Sequence, residues 1–276
     1  MKVTLLNPLQ TQDLFYWWGV ASKVCYDTKT DNPSAIGKHC MNSGHFSGSR
    51  SQYILFQVDD CPRFTIDQIV RHEDGVMKNV QSFRYVGKNS FAYEIPVEIK
   101  DNEELLQSYI EHMFDAICLY DNIQSYVYNK MKAQNKTDNQ AKERANEQAR
   151  YVLPISTHGS FVIGMDIEAL IHFCNTRLCV RTEDIHRDLA KKIRDVVLKV
   201  LPELKEKLVP NCQYLLWCPE GKQSCGAYPT KKELKEKLNL AQFDANKGLK
   251  VHSTEELNRD HYAVQINGGN KDESKD

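Results

Sequence analysis

The chain has 276 residues, of which 41% are hydrophobic and 26% are charged, and its formal net charge is −1. This length can bury a sizeable core, and the composition is ordinary for a globular protein. The near-zero charge argues against a general binder of nucleic-acid polymers or membrane surfaces, which needs a basic excess, but it allows a local cationic pocket.

No stretch of the sequence is typical of a transmembrane span or a signal peptide. Nine cysteines, an odd count without an export signal, predict thiols or metal ligands in a reducing compartment. We therefore expect a cytoplasmic protein with no membrane partner.

The first elements along the chain are predicted to be short. Residues 2–8 (KVTLLNP) predict a strand, and apolar residues at helical spacing predict a helix over 14–27. Residues 27–52 are rich in Thr, Asn, Ser, Gly and His and predict a loop with a short helix around 35–44. Residues 53–58 (YILFQV) suit a strand that is broken by DDCPR.

Residues 71–85, RHEDGVMKNVQSFRY, form a dense polar stretch. They follow FTIDQIV, whose periodicity does not distinguish strand from helix. The apolar residues of the stretch mark no consistent helical or strand face. We interpret it either as a solvated loop or as a basic, hydrogen-bonding surface for an anion.

Amphipathic helices dominate the second half of the sequence. A long helical pattern covers 102–131, and a charged segment follows it and is stopped by Pro154. Residues 156–165 predict a strand and 167–178 a helix. Residues 182–204 predict a strong amphipathic helix with Thr182 as its N-cap.

A cysteine-bearing segment, NCQYLLWCPEGKQSCG, follows these helices. Zinc prefers four thiolate or imidazole ligands, and Cys179, Cys212, Cys218 and Cys225 could supply them. The spacing is looser than that of a zinc ribbon. The alternative is that Cys179 is a small buried residue and the others are loop thiols.

Four ordered blocks carry a resemblance to a known family. Arg71-His72-Glu73 is followed by eight residues and then by Ser82, Phe83, Arg84 and Tyr85. The other blocks are GHFS at 44–47, EQARYVLP at 147–154 and DIEALIHFCNTRLCVRTEDI at 166–185. Together they resemble the flavin-dependent thymidylate synthases, of which this chain would be a divergent member.

The resemblance implies reductive methylation of dUMP at carbon 5, which gives dTMP. Methylenetetrahydrofolate would donate the carbon, and FAD reduced by NADPH would carry the hydride that activates the pyrimidine in place of an attacking cysteine. It also implies a homotetramer whose active sites lie between subunits. The partners expected are therefore dUMP, folate and further copies of this chain.

The resemblance also assigns site residues. Arg84 and Arg150 would bind the nucleotide phosphate, because a guanidinium can bind phosphate through two parallel hydrogen bonds. Ser82 would add a hydroxyl donor, Gln68 would contact the nucleotide, and Arg177 would stabilise charge on a uracil oxygen. Ser82 and Arg177 are thus the catalytic candidates. The residues expected to surround the flavin are His45, Ser47, Arg71, His72, Asp166 and His172.

Several positions depart from the family pattern. Glu73 replaces an arginine and Val80 replaces a glutamate. Asp166, Glu168 and His172 stand where asparagine, arginine and asparagine are usual. Opposite charges about 4 Å apart that become like charges lose about 4 kcal/mol of attraction at an effective dielectric near 20 and gain similar repulsion. The phosphate side is therefore expected to be intact and the FAD side altered.

Three hypotheses follow. In the first, the enzyme is active and Lys78, Arg181 or another basic residue replaces the lost charges. In the second, a related enzyme modifies carbon 5 of a pyrimidine nucleotide, with a cytosine base or a different one-carbon group, and its FAD site is altered or lost. In the third, the chain is a non-catalytic nucleotide-binding or structural protein.

The fold expected from the elements and the resemblance is α/β, with a twisted, mainly antiparallel sheet packed by helices. Residues 1–205 would form the catalytic domain. Residues 206–245 would form a cysteine-bearing extension, and 246–276 a disordered tail.

Overall fold

Four strands form one antiparallel sheet in the computed structural model, which describes residues 1–25 and 27–243. The strands β1 (Lys2–Leu5), β2 (Ile54–Pro62), β3 (Val76–Val80) and β4 (His158–Met165) lie in the order β1-β2-β4-β3. Every neighbouring pair is antiparallel. The predicted α/β fold with an antiparallel sheet packed by helices is therefore confirmed.

Two strands differ from their predictions. β2 does not end before DDCPR but continues to Pro62, because a bulge between Val58 and Cys61 absorbs the irregularity. Asp60 there has a φ of +55°, which aspartate tolerates better than most residues. β3 lies inside the polar stretch and pairs with β4 from Val76 to Val80.

Helices surround this sheet, and most of the predicted helices are confirmed. FTIDQIV, which the sequence left undecided, is helical. Up to residue 210 the α-helices are α1 (Pro8–Gln12), α2 (Leu14–Cys25), α3 (Pro33–Asn42), α4 (Arg63–Ile69), α5 (Glu103–Ala133), α6 (Asp138–Ala149), α7 (Ile167–Arg177) and α8 (Asp184–Leu198).

Capping side chains explain where two of these helices begin. Asn102 accepts a hydrogen bond from the Leu105 amide at the start of α5. The charged segment after α5 is helical because Thr137 and Gln140 cap each other's backbone. The prediction of Thr182 as the N-cap of α8 is wrong. Glu183 occupies that position, and the Thr182 hydroxyl instead donates to the Thr176 carbonyl at 3.2 Å.

The chain divides into two compact units, the first of which is Met1–Pro210. It therefore extends beyond the predicted boundary at residue 205. The second unit begins at Asn211 and contains α9 (Asn211–Leu215) and α10 (Lys231–Phe243). The tail predicted over 246–276 lies outside the described residues, as do residues 244 and 245 of the predicted extension. Among the helices that the structure describes, none has the length and apolar character needed to cross a bilayer.

α2 and α3 approach each other closely at two glycines. A Cβ added to Gly19 would lie 1.7 Å from the Pro33 carbonyl oxygen, and one added to Gly37 would lie 2.1 Å from that of Phe15. Both contacts are to backbone atoms, which cannot rotate away. The glycines therefore allow Trp18 and Phe15 of α2 to be buried in the core.

We expect Gly19→Ala to lower the free energy of unfolding by about 1–3 kcal/mol, the usual effect of overpacking. The reason is that the new methyl group forces α2 away from α3. Urea denaturation at equilibrium measures the change. Val24→Ala, at an exposed position of α2, is the control and should change little. Equal stability of the Gly19 variant and the wild type would contradict the close approach.

Candidate active site

Two of the predicted phosphate-binding residues line one open cleft of about 470 Å³. Ser82 enters it from the segment that follows β3, and Arg150 enters it from the end of α6. Arg150 is exposed, and among the described residues it forms no ion pair. Its guanidinium is therefore available to an anion. The full lining is Arg63, Val80, Gln81, Ser82, Phe83, Arg150, Leu153, Pro154 and Ile155.

Arg84 lies beside this cleft and is fastened to α6. Its Nη2 donates to Glu143 Oε1 at 2.7 Å, and its Nε lies 3.4 Å from Glu147 Oε1. The pKa of Glu147 is lowered mainly by its hydrogen bond from Arg144, and also by the charges of Arg84 and Arg150. The charges of Arg84 and Arg150 therefore act on the same carboxylate, which lies on α6.

The structure and the sequence prediction differ at two residues of α4, Gln68 and Arg63. Gln68, predicted to contact the nucleotide, is half-buried on α4 and is not part of the lining. Arg63, which the sequence analysis missed, begins α4 and lines the cleft, where it pairs with Asp67 at 3.0 Å. Its signal was an arginine directly after Pro62, at the point where β2 gives way to a helix.

Arg177 lies in a second group of basic side chains, at the end of α7. Its Nε donates to His72 Nε2 at 3.1 Å. The His72 ring lies 6.5 Å from that of His172 and 5.4 Å from that of Phe173. Burial lowers the pKa of Arg177, so this guanidinium lies in a poorly hydrated place. The predicted uracil-binding and flavin-binding residues thus meet at Arg177 and His72.

His72 is held as a neutral imidazole. Burial, followed by the charges of Arg177, His172 and Lys78, lowers its pKa from 6.5 to about 4. Because Nε2 accepts the hydrogen bond from Arg177, the single ring proton resides on Nδ1. His72 therefore orients Arg177 without competing with it for negative charge.

The lowered pKa of His72 predicts a pH dependence of stability. Between about 6.5 and 4, the unfolded chain binds a proton at His72 that the folded chain does not. The contribution of the neutral His72 to the free energy of unfolding is thus fully present above pH 6.5 and is lost as the pH falls toward 4. His72→Gln should flatten the slope of unfolding free energy against pH in this window, as measured by urea denaturation. His39→Gln, on α3, is the matched control, and an unchanged slope in the His72 variant would contradict the assignment.

Three segments with predicted flavin-binding residues meet at the beginning of α7. The first segment, residues 45–51, contains His45 and Ser47, and the second, residues 71–75, begins with Arg71; the third is the start of α7 itself. His45, Ser47 and Arg71 are all exposed. The Asp166 amide donates to the Gly75 carbonyl at 3.0 Å, which joins the second segment to α7. Arg50 Nη2 lies 2.7 Å from Glu168 Oε2, which joins the first.

Asp166 has a structural task at this place. Its Oδ1 accepts from the Ala169 amide at 2.8 Å and caps α7, and the residue is buried. Burial, more than the neighbouring Glu168, raises the pKa of its carboxyl. A Cβ on Gly75, whose φ is +66°, would lie 2.3 Å from Asp166 Oδ2. The Asp166 carboxylate is therefore engaged by the first turn of α7 and by the loop around Gly75 that packs on it.

Lys78, one of the residues expected to replace a lost positive charge, is bonded to the loop that precedes β3. Its Nζ donates to the carbonyls of Val70 and His72, at 2.9 and 2.6 Å. These bonds fix the loop that carries Arg71 and His72. The cation that stands against Glu168 is Arg50, which the sequence analysis did not single out although it lies three residues after the GHFS block.

The donors at this place fit a flavin nucleotide. A flavin ring presents carbonyl and nitrogen atoms that need hydrogen-bond partners, and His72, His172 and Ser47 can supply them. Its phosphates need a cation, and Arg50 is a guanidinium with 66% of its side chain exposed. The acidic neighbours Asp74, Asp166 and Glu168 act against this, since all three carboxylates raise the pKa of Arg50, Glu168 most strongly.

The cysteines do not form a metal site within the described residues. No group of three or more His, Cys, Asp or Glu side chains there could hold a metal ion. Within the second unit, the predicted zinc ligands Cys212, Cys218 and Cys225 therefore form no such group. Within the second unit, Cys218 is buried and its amide donates to the Pro229 carbonyl at 2.7 Å, whereas Cys225 is exposed.

The chain is similar to known proteins over most of its length. A family model described as "Thymidylate synthase complementing protein" matches residues 11–203. The chain is 31% identical over 195 residues to a flavin-dependent thymidylate synthase of Nitratidesulfovibrio vulgaris, covering 70% of this chain and 76% of the relative. It is 30% identical over 216 residues to a protein of the same name from Clostridium tetani, covering 75% and 86%.

Solved structures share the fold at lower identity. Thymidylate Synthase X of Helicobacter pylori, solved with FAD and dUMP, aligns with a TM-score of 0.52 at 16% identity, over 75% of this chain and 99% of that one. The UMP/dUMP methylase PolB of Streptomyces cacaoi, bound with 5-Br dUMP, aligns with a TM-score of 0.53 at 18% identity, over 75% and 93%.

Proposed function

We propose, from the premise that this chain belongs to the flavin-dependent thymidylate synthase family, that it methylates dUMP reductively at carbon 5 to give dTMP. The carbon donor is methylenetetrahydrofolate, and the reductant is a flavin that NADPH reduces. The observation that carries the proposal is a cleft lined by Ser82 and Arg150, with Arg84 held next to it by Glu143 of α6. Two guanidinium groups and a hydroxyl are the donors that a nucleotide phosphate requires.

The uracil ring is the part of the substrate that Arg177 is suited to bind. Methylation at carbon 5 requires that carbon to become nucleophilic, as in an enolate, in which a carbonyl oxygen of the base carries negative charge. A half-buried guanidinium stabilises that charge more than a hydrated one would, because the local dielectric is low. His72 keeps Arg177 in position through the 3.1 Å hydrogen bond and stays neutral near pH 7.

Bound FAD would supply the hydride and accept electrons from NADPH. The residues that would hold it are His45, Ser47 and Arg71 near the beginning of α7, together with His172 further along the helix and His72 beside it. Asp166 would serve indirectly, because it caps α7 and packs against Gly75.

A homotetramer is part of this proposal. The cleft with Ser82 and Arg150 and the group around Arg177 are separate features of one chain, each with its own neighbours. If the phosphate is bound by one copy and the uracil by another, assembly completes the site. Size-exclusion chromatography with light scattering should give four chains per particle.

A second function has a specific observation in its favour. The surroundings of Arg50 contain three carboxylates, from Asp74, Asp166 and Glu168. This arrangement suits an enzyme that modifies carbon 5 of a pyrimidine nucleotide while its FAD site is altered. A cytosine base or a different one-carbon group belongs to the same alternative.

Tritium release from dUMP labelled at carbon 5 tests the first function against the second. The experiment uses purified protein whose flavin content has been measured by absorbance. Release that depends on methylenetetrahydrofolate, FAD and NADPH supports the first. Release from labelled dCMP, or release without FAD, supports the second. Binding of dUMP with no release from either nucleotide would contradict both.

A further inference from the structure

We propose that Arg50 is a cofactor-binding residue, whose guanidinium binds a phosphate of the flavin nucleotide while Glu168 holds it in position. Neither side chain was assigned this task from the sequence. The inference rests on the proposed function, because it takes FAD as the ligand, and it adds the residue that supplies the positive charge.

The contact between the two side chains leaves most of the guanidinium available. Arg50 Nε and Nη2 both donate to a single oxygen, Glu168 Oε2, at 3.1 and 2.7 Å. A guanidinium has further N–H donors on Nη1 and Nη2. Arg50 can therefore bind a phosphate oxygen without releasing Glu168, and the carboxylate fixes the direction in which those donors point.

Folding alone does not account for this pair. The side chains of Arg50 and Glu168 are 66% and 43% exposed. An ion pair with this exposure contributes little to stability, since water screens it and two long side chains lose freedom. A surface arginine held at two points is, however, well prepared to bind an anion, because its ordering precedes binding.

The position of Arg50 identifies the anion. Arg50 stands on the segment that begins with His45 and Ser47, and Glu168 stands in the first turn of α7. The same helix carries His172 and Arg177 further along, beside His72. A ligand with its anionic group at Arg50 and its ring at the histidines would have the layout of a flavin nucleotide, which carries its phosphates at one end.

The electrostatic surroundings make Arg50 the residue on which phosphate binding depends. Asp74, Asp166 and Glu168 are close enough to raise its pKa, so each contributes negative potential there. Asp166 is buried and engaged at the start of α7, which removes it from direct contact with a ligand. Without Arg50, the carboxylates of Asp74 and Glu168 would repel a phosphate placed there.

The test compares FAD with riboflavin, which has the same ring system and no phosphate. Affinities are measured by fluorescence quenching for the wild type, Arg50→Gln, Arg50→Glu and the exchanged pair Arg50→Glu with Glu168→Arg. Loss of the guanidinium should weaken FAD about tenfold to a hundredfold, the range for a charge-assisted hydrogen bond, and leave riboflavin within about threefold. The exchanged pair should recover FAD affinity to within about tenfold of the wild type.

Lys38→Gln is the matched control. Lys38 forms a similarly exposed ion pair with Glu203 at 2.8 Å, on α3, and its loss should leave both affinities unchanged. Equal FAD affinity of the wild type and Arg50→Gln would overturn the inference and leave the proposed function standing. So would a parallel loss of FAD and riboflavin affinity, which would indicate a structural role. A wild type that binds dUMP but no FAD would overturn the inference together with the flavin part of the proposed function.

Discussion

Arg177→Ala is expected to lower kcat for tritium release by about a hundredfold to a thousandfold, the usual cost of removing one donor to a developing oxyanion. The dissociation constant for dUMP should change only a few-fold. On the proposed function, Arg177 acts on charge that develops during the reaction, whereas Ser82, Arg84 and Arg150 bind the phosphate. Single-turnover kinetics and equilibrium binding of dUMP separate the two effects.

A purely structural role of Arg177 predicts a different result. The residue ends α7, where a cation interacts favourably with the helix dipole, worth about 0.3–1 kcal/mol at exposed sites. On that account Arg177→Ala would lower stability slightly and leave kcat intact. Arg187→Ala is the control, because Arg187 lies on α8 and donates to the Val180 carbonyl at 3.1 Å without contacting His72. Equal loss of dUMP binding and turnover in the Arg177 variant would contradict the division between phosphate and base.

Arg150→Ala is expected to weaken dUMP binding by about tenfold to 150-fold, as for a lost hydrogen bond to a charged group. Its effect should fall on the phosphate alone. Deoxyuridine, which has no phosphate, should therefore bind the variant and the wild type equally. Isothermal titration with both ligands gives the four affinities that the comparison needs.

Arg144→Ala is the matched control for Arg150. Arg144 lies on the same helix, is exposed, and pairs with Glu147 at 2.7 Å. It is not part of the cleft lining, so its removal should leave dUMP affinity within about threefold, as expected for an exposed ion pair. An equal loss in both variants would mean that α6 contributes only general positive charge. Equal weakening of deoxyuridine and dUMP by Arg150→Ala would contradict the phosphate contact.

Local sequence signals were sufficient for the elements that have them. Helical spacing of apolar residues located α2, α5, α7 and α8, and the apolar runs located β1, β2 and β4. β3 lacked such a signal, since its five residues are half-buried or exposed and mix charged, polar and apolar side chains. What makes it a strand is its pairing with β4, a contact more than eighty residues away in sequence that no local pattern contains.

The helix α6 also had only a weak local signal in the sequence. Its mean composition is polar, and its segment was interpreted only as charged. A capping box at Thr137 and burial of Ala141, Ala145 and Ala149 on one face make it a helix. Alanines carry a weak apolar signal, so this face was overlooked, although it positions Glu143, Glu147 and Arg150.

The members of the candidate site come from the sequence motifs, whereas their contacts come from the fold. The motif blocks led to Ser82, Arg84, Arg150, His72 and Arg177, and the structure places these residues in two groups. The partners that define the groups lie far apart in the sequence. Arg50 with Glu168 spans 118 residues and Arg177 with His72 spans 105, and neither pair follows from a motif.

A crystal structure of the chain soaked with dUMP and FAD tests the central claim most directly. The claim is that guanidinium groups from separate parts of the polypeptide bind one pyrimidine monophosphate. The account predicts that Arg84 and Arg150 contact the phosphate and that Arg177 contacts a uracil oxygen of the same nucleotide, from one copy or from adjoining copies. A bound nucleotide whose phosphate lies away from the cleft of Ser82 and Arg150, or whose base lies away from Arg177, would contradict it.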